Sequence, residues 1–344
     1  MPAMRIAVSN LLIRKAMNFG LIVCSLLLAQ VLFLSAMWAE SQQNAGSDDL
    51  GTQASKNADE SLLTLHAAVS EVHLVFVVTD KHGQYVKDLK QEDFKILDDR
   101  RPPEKILSFK SETDFPLQLG LLIDTSQSVR ERFTFEQEEA IAFLQQTLRP
   151  KYDQAFVMGF DMTPMVTQDF TDDIRKLEVG VRLLQPGSLT AMYDAVYYAC
   201  NKLLKQSQNI PARRVLILLS DGYDNSSSVT RERVIETAQR AEVSVYTIRT
   251  NLTAGGRGQK ALETIAEATG GRSFVPTQIA GVANAFTAIQ TELRSQYAVS
   301  YKPMAFKLDG RYRTIKIKTP NKTGLSIRSR KGYRTAHIGS ESDR

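Results

Sequence analysis

Cysteine is nearly absent from this sequence. Of its two, Cys24 lies inside an N-terminal apolar run and only Cys200 follows it, so the folded part forms no intrachain disulfide and is not a disulfide-framed scaffold. Cys24 follows Val23 rather than a small residue, which speaks against a lipoprotein attachment site; Cys200 falls in a helical pattern and reads as a small buried apolar residue. Histidine is almost as scarce. His66, His73, His82 and His337 all fall outside the segment that alternates strand and helix, leaving a Ser-His nucleophile or a zinc site without natural partners there. Ser126 lacks the flanking glycines of G-x-S-x-G. The glycine-rich stretch "AGGRGQKA" near residue 255 has neither P-loop nor G-x-G-x-x-G spacing and reads as a flexible loop.

What is present starts with a leader. Arg5, Arg14 and Lys15 precede an uncharged apolar run over residues 16–39, followed at once by the polar "ESQQNAGSDD". Charge, apolar core and small-residue exit are the order of a secretory signal. A run of 24 residues also spans a bilayer as an uncleaved anchor, giving inner-membrane association through residues 16–39. Ala39 suits the last position before cleavage, while Met37 is larger than the site usually accepts. On either reading residues 1–39 are a signal peptide or anchor, the positive flank stays inside, and everything after Glu40 is extracytoplasmic. Residues 40–61 are polar, with too few apolar groups to order themselves, and read as a linker; structure is expected from about Leu62.

The remaining length and its 43% hydrophobic, 24% charged composition suit one large domain and a smaller one. Net charge is +5 with a sequence pI near 9.0. Eleven Lys or Arg stand against Asp309 alone between Lys302 and Arg334. These cations alternate with apolar residues, as in "YRTIKIKT", which is the pattern of one solvated strand face rather than a nucleic-acid surface.

Both ends of the folded region read as β. "EVHLVFVVTD" predicts a strand, "DKHG" a turn, and "EDFKILDDRRPPEKILSFK" two short strands around a charged turn and a Pro pair. "SQYAVSYKP", "YRTIKIKTP" and "GLSIRSRKGY" are short strands near the C-terminus. Neither set has a partner for its apolar face within its own segment, so residues 62–114 with 295–335 are expected to build one small β-sandwich-like domain, and residues 336–344 a flexible tail.

The inserted middle, residues 115–294, alternates. "PLQLGLLID", "DQAFVMGFD", "RRVLILLSD" and "VSVYTIRT" are near-continuous apolar runs, as expected of strands covered on both faces. Ile141, Leu144 and Leu148 fall at helical spacing, as do Ala195, Val196, Ala199 and Leu203, and again Val234, Ile235, Ala238 and Ala241; Gly270 and Gly271 end another helix, "QKALETIAEATGG". The fold class is therefore α/β, a doubly wound, mostly parallel sheet with helices on both sides, which binds ligands beyond the carboxyl ends of its strands.

Two of those strands end in aspartate, Asp124 and Asp221. Ser126 and Ser128 follow Asp124 at alternate positions, and "GSLTAMYDAV" places Thr190 at a helix start. Two carboxylates, two serines and a threonine at one rim make an oxygen-only cluster, which suits a hard divalent cation and Mg2+ in particular. Without a cation the two aspartates would repel and one would tend to hold a proton.

"DTSQS", "GSLTAMYDA" and "LLSDGYDN" resemble the three loops of a von Willebrand factor type A domain with its metal-ion-dependent adhesion site, and all five ligand positions of that pattern are filled, by Asp124, Ser126, Ser128, Thr190 and Asp221. The flanks, "TDKHGQYVKDLKQEDFKILDD" and "RSQYAVSYKP" through "RKGYR", further resemble exported bacterial VWFA-related proteins frequent in Acidobacteria; the likeness covers roughly residues 65–335. It implies a Rossmann-like domain that does no chemistry. The hydroxyls would ligate Mg2+ (Mn2+ or Ca2+ as alternatives) directly or through water, the aspartates largely through water, and one position would stay open for a partner protein's carboxylate.

Simpler readings exist for each piece. Ser126 and Ser128 could cap a helix starting near Arg130, Thr190 could be an N-cap, and Asp221 could open a turn with Gly222. Asp224 and Asn225 could line a second cation site or be plain loop residues, and Asp161 could be a turn residue or approach the rim. A structural envelope protein with a fold-stabilising metal site is one alternative function. A metal-dependent hydrolase or an acid/base pair of Asp124 and Asp221 is another.

Overall fold

The computed structural model describes residues 71–111, 115–206, 212–251, 256–304, 306–307 and 309–335. The leader, the linker and the C-terminal tail lie outside these residues, as does the expected start of structure near Leu62. Among the described residues no helix is long and apolar enough to cross a membrane.

The described residues open with β1 (Val72–Thr79), β2 (Lys95–Asp98) and β3 (Lys105–Ser111). The charged turn between β2 and β3 puts Asp99 and Arg100 at positive φ, 45° and 70°, and is closed by a backbone bridge between Asp98 and Arg101. The middle follows as β4 (Leu117–Asp124), α1 (Phe133–Thr147), β5 (Gln154–Phe160), β6 (Pro164–Thr171), α2 (Ile174–Arg182), α3 (Met192–Lys205), β7 (Arg213–Ser220), α4 (Arg231–Arg240), β8 (Val243–Arg249), α5 (Arg257–Thr269), β9 (Ser273–Phe274) and α6 (Ala280–Leu293). The described residues close with β10 (Gln296–Lys302), β11 (Tyr312–Lys318), β12 (Ser326–Ser329) and β13 (Gly332–Arg334).

The central sheet has the order β6-β5-β4-β7-β8-β9. Every neighbouring pair is parallel except β5 and β6, which are antiparallel. All of β4 is buried, as a strand covered on both faces must be. Its side chains divide by parity. Leu119, Leu121 and Ile123 join a cluster with α1, α2 and α6, whereas Leu122 packs with α3, α4 and α5 on the other face. Cys200 is a buried free thiol in that second cluster. From β4 the chain first builds outward through β5 and β6, then returns to build the other side through β7, β8 and β9. The reversal puts the crevice beyond the carboxyl ends of β4 and β7.

The two chain ends form antiparallel sheets, a four-stranded one in the order β12-β1-β10-β3 and a three-stranded one in the order β13-β11-β2. They share one apolar cluster that includes Leu74, Phe76, Ile96, Tyr297, Ile315 and Tyr333. β11 alternates as its sequence suggests, with Lys316 and Lys318 outward and Ile315 buried. Arg313 is the exception; it is 8% exposed on the inner face and pairs with Asp309 at 3.6 Å. Buried polar anchors tie these sheets to the α/β layer. Glu292 on α6 is fully buried and accepts from Tyr246 at 2.5 Å, from Tyr85 at 2.9 Å and from Arg328 at 2.5 Å.

α1 begins three residues later than the helix expected near Arg130, with Arg132 as its N-cap. A 3-10 turn over Gln127–Val129 intervenes.

Candidate metal site at the carboxyl edge of the sheet

β4 and β7 run parallel in register, with Ile123 opposite Leu219, so their ends deliver Asp124 and Ser220 side by side. The Ser220 hydroxyl donates to Asp124 Oδ2 at 2.6 Å, and the Ser126 amide donates to Asp124 Oδ1 at 2.9 Å. The Ser126 and Ser128 hydroxyls lie 3.0 Å apart, and the Ser128 hydroxyl donates to Asp221 Oδ2 at 2.8 Å. Asp221 Oδ1 accepts from the Tyr223 amide at 3.0 Å. Ser126, Ser128 and Asp221 thus form a run of bonded side-chain oxygens across the two loops, and the Ser126 amide ties Asp124 to it.

Thr190 is brought to them by backbone. Its carbonyl accepts from the Asn225 and Ser226 amides at 3.0 and 3.1 Å, and its amide donates to Asn225 Oδ1 at 3.0 Å. The Gln127 amide donates to the Ser188 carbonyl at 3.2 Å, so the segment before Thr190 is stitched to the Asp124 loop as well. Among the described residues the Thr190 hydroxyl takes no hydrogen-bond partner. The carboxyl-edge loops are also held rigidly. Gly222 adopts φ +82°, and a Cβ there would lie 2.3 Å from the Gly258 carbonyl oxygen, while a Cβ on Gly258 would lie 2.5 Å from the Asp221 carbonyl oxygen. The first turn of α5 is therefore wedged against the backbone of Asp221.

The capping readings are corrected by this geometry. Ser126 precedes the 3-10 turn without a side-chain cap bond, and Ser128 is committed to Asp221 rather than to a helix amide. Thr190 is not a cap either, because α3 starts at Met192 after an uncapped Ala191. Asp224 and Asn225 fasten loops. Asp224 Oδ1 accepts from the Tyr193 amide at 3.2 Å and the Ser227 hydroxyl at 2.6 Å, and Asn225 holds Thr190. Asp161 is a turn residue on the rim, its Oδ1 accepting from the Thr163 amide at 3.2 Å and its carbonyl from Ala191 at 2.6 Å.

Electrostatics single out one further residue. Asp124 is fully buried and Asp221 is 5% exposed. Burial pushes the Asp124 carboxyl up to about 6, against the lowering effect of hydrogen bonds from Ser126 and Ser220, and the charge of Asp221 adds to the rise. Glu136, in the first turn of α1, is 1% exposed, and burial pushes it up to about 8, with Arg132 opposing and the charges of Asp124 and Asp221 reinforcing. Neither carboxylate oxygen of Glu136 has a hydrogen-bond partner. Sequence reasoning passed over Glu136, although Phe133, Glu136, Ala140 and Leu144 share the buried stripe of α1, and an acid on an apolar stripe is a signal in itself.

A hard divalent cation fits this donor set. Two buried aspartates repel each other, an orphaned third carboxylate stands near, and the remaining donors are neutral hydroxyls, all oxygen. Among the described residues no three His, Cys, Asp or Glu side chains form a metal cage. Ser128 is exposed, which leaves the cluster open to solvent on its side. A cavity of about 400 Å³, lined by His73, Arg214, Glu242 and Arg330 among others, lies at the amino ends of the central strands, away from this rim.

The fold and the site together define a class, a doubly wound α/β domain with an oxygen-rich cluster at its carboxyl edge. Residues 119–288 match the family model of the von Willebrand factor type A domain, and the chain carries that domain. Comparison with curated proteins gives no match. Among solved structures, the chain is similar to a von Willebrand factor type A protein from Catenulispora acidiphila, at 12% identity and a TM-score of 0.46 over 78% of this chain and 74% of that one. It is also similar to the conserved hypothetical protein BatB from Bacteroides thetaiotaomicron, at 15% identity and a TM-score of 0.40 over 52% of this chain and 97% of that one. A third is the vWF domain of the type V pili tip protein Mfa5 from Porphyromonas gingivalis, at 14% identity and a TM-score of 0.45 over 53% of this chain and 96% of that one.

Proposed function

We propose that this protein is an exported, non-enzymatic binding module. Asp124, Ser126, Ser128, Thr190 and Asp221 would hold a hard divalent cation, Mg2+ first and Mn2+ or Ca2+ as alternatives, and a carboxylate of a partner protein would complete its coordination. The observation that carries the reading is the run of side-chain oxygens from Ser126 through Ser128 to Asp221, tied to Asp124 by the Ser126 amide, with Thr190 held by Asn225 of the loop that follows Asp221. The bound cation supplies positive charge and an exchangeable coordination position. The chain's residues do the rest: the aspartates neutralise charge, the hydroxyls orient, and the wedged loops keep the donors in place.

The surroundings favour a macromolecular partner over a small substrate. Asp124 is fully buried and offers no face to a hydrolysable bond. Leu189 and Tyr223 stand 46% and 49% exposed, each on a loop that carries a proposed ligand, and present apolar contact area beside it. An extracytoplasmic location follows the reading of residues 16–39 as signal or anchor.

The test is twofold. Thermal melts in EDTA, Mg2+ and Mn2+ should show a rise with metal, because a ligand bound only by the native state stabilises it. Chemical cross-linking in the native envelope should then give a neighbour that is lost both in EDTA and in a folded Asp124→Ala variant. A metal shift with unchanged neighbours would instead favour a structural envelope protein.

A further inference from the structure

We infer that Glu136 belongs to the cation site as a third carboxylate, acting across a metal-bound water rather than as a direct ligand. The inference rests on the proposed metal reading and adds to it a residue outside the five-residue motif.

Four observations carry it. Glu136 is 1% exposed, and both of its oxygens are buried without a hydrogen-bond partner. A buried carboxylate in that condition is costly, and native structures retain few of them without a purpose. Among the described residues the cation paired with it, Arg132, does not answer the need. Arg132 Nε is 3.9 Å from Glu136 Oε1, beyond hydrogen-bond range, and that Nε is itself buried and unpartnered; the Arg132 side chain turns instead to the Ser128 carbonyl at 3.4 Å. Glu136 also lies close enough to the site for the charges of both Asp124 and Asp221 to act on it. Finally, it does not close with them into a three-carboxylate cage, so a gap separates it from any ion the aspartates hold.

Water bound to a divalent cation is a strong hydrogen-bond donor, and Mg2+ keeps several such waters. A carboxylate with two empty acceptors one layer behind the ligands is the natural acceptor for one of them. Outer carboxylates of this kind fix the geometry of what they hold and are worth about 10- to 100-fold in metal affinity. A cation and its water would remove the orphaned acceptors and the carboxylate repulsion together. The same residue that burdens the metal-free protein would thereby strengthen the loaded one.

That opposition of sign is what a purely structural role for Glu136 would not produce, and it sets the experiment. Mn2+ is titrated calorimetrically into the EDTA-stripped full chain, wild type, Glu136→Gln and Glu136→Leu, with metal-free melts of each. Both variants should bind Mn2+ about 10- to 100-fold more weakly, while metal-free Glu136→Gln melts at or above the wild-type temperature. Mn2+ affinity within about twofold of wild type in a folded Glu136→Gln would overturn the inference and leave the five-residue site standing. Wild-type protein that takes up no Mn2+ would remove both. If Glu136→Leu fails to fold, Glu136→Gln decides alone.

Discussion

Asp124→Asn should make the metal-free protein more stable at neutral pH, although it removes a residue proposed to hold the cation. The Asp124 carboxyl lies at about 6 in the folded chain against 3.8 ordinarily. Below about pH 3 the group is largely protonated in both states and contributes almost no penalty. As pH rises towards 6 the unfolded chain gives up this proton while the folded chain keeps it, so the folded state binds more protons and stability falls. Above pH 6 the cost is complete. Raising a carboxyl from 3.8 to about 6 corresponds to about 3 kcal/mol. Asn cannot ionise, keeps an oxygen for the Ser126 amide, and can donate to Ser220. The measurement is urea unfolding in EDTA at pH 4 and pH 7.5 for both proteins, because the difference between the two pH values cancels any effect of the substitution that does not depend on pH. The gap should move by about 2.5 kcal/mol in favour of Asp124→Asn on going to pH 7.5, equivalent to roughly 5 to 10 °C in Tm at about 2–4 °C per kcal/mol. With excess Mg2+ the order should reverse. Parallel pH profiles for the two proteins in EDTA would refute the claim that Asp124 is a strained, buried charge.

Other perturbations test neighbouring links. Gly258→Ala touches no ligand side chain, yet its Cβ would come within 2.5 Å of the Asp221 carbonyl oxygen; a loss of about 1–3 kcal/mol by overpacking should come with weaker Mn2+ binding in the same titration. Ser128→Ala removes the hydroxyl that joins Ser126 to Asp221; the fold should lose only about 1 kcal/mol by urea unfolding, while the Mg2+-induced rise in Tm shrinks. Glu292→Gln leaves Arg328 without its buried anion, and a loss of about 3–5 kcal/mol with unchanged Mn2+ affinity would show that this anchor serves the fold and not the site.

The layers of the fold were legible because burial imposes period. β4, β5, β7 and β8 are covered on both faces, so they read as apolar runs, and the helices that cover them read as stripes. β6 did not read as a strand. It is an edge strand with no fully buried residue, so its sequence "PMVTQDFT" carries little hydrophobic signal. α2 and α6 were also passed over, although Leu177 and Val181 on one and Val282, Phe286 and Ile289 on the other are buried; α2 has only 9 residues, and α6 opens on the small-residue stretch "AGVANA", which carries little helical signal. The two-ended β layer could be inferred because each end has an apolar face with nothing of its own to cover it. At the rim, the five oxygen-bearing residues stood out by type and order, but which hydroxyl bonds to which carboxylate depends on the parallel register of β4 and β7, and no spacing rule gives that. Glu136 and Glu292 illustrate a rule that sequence does express. Each is an acid on the buried stripe of a helix, and each proves to be fully enclosed, one with three donors and the other with none.

The most direct test of the metal reading is anomalous scattering from crystals of the full chain grown or soaked with Mn2+. The expected result is a single strong peak enclosed by Asp124, Ser126, Ser128, Thr190 and Asp221, with water or a neighbouring carboxylate on its open side. No peak there at saturating Mn2+, or the Thr190 hydroxyl turned away from an ion held by the others, would contradict it.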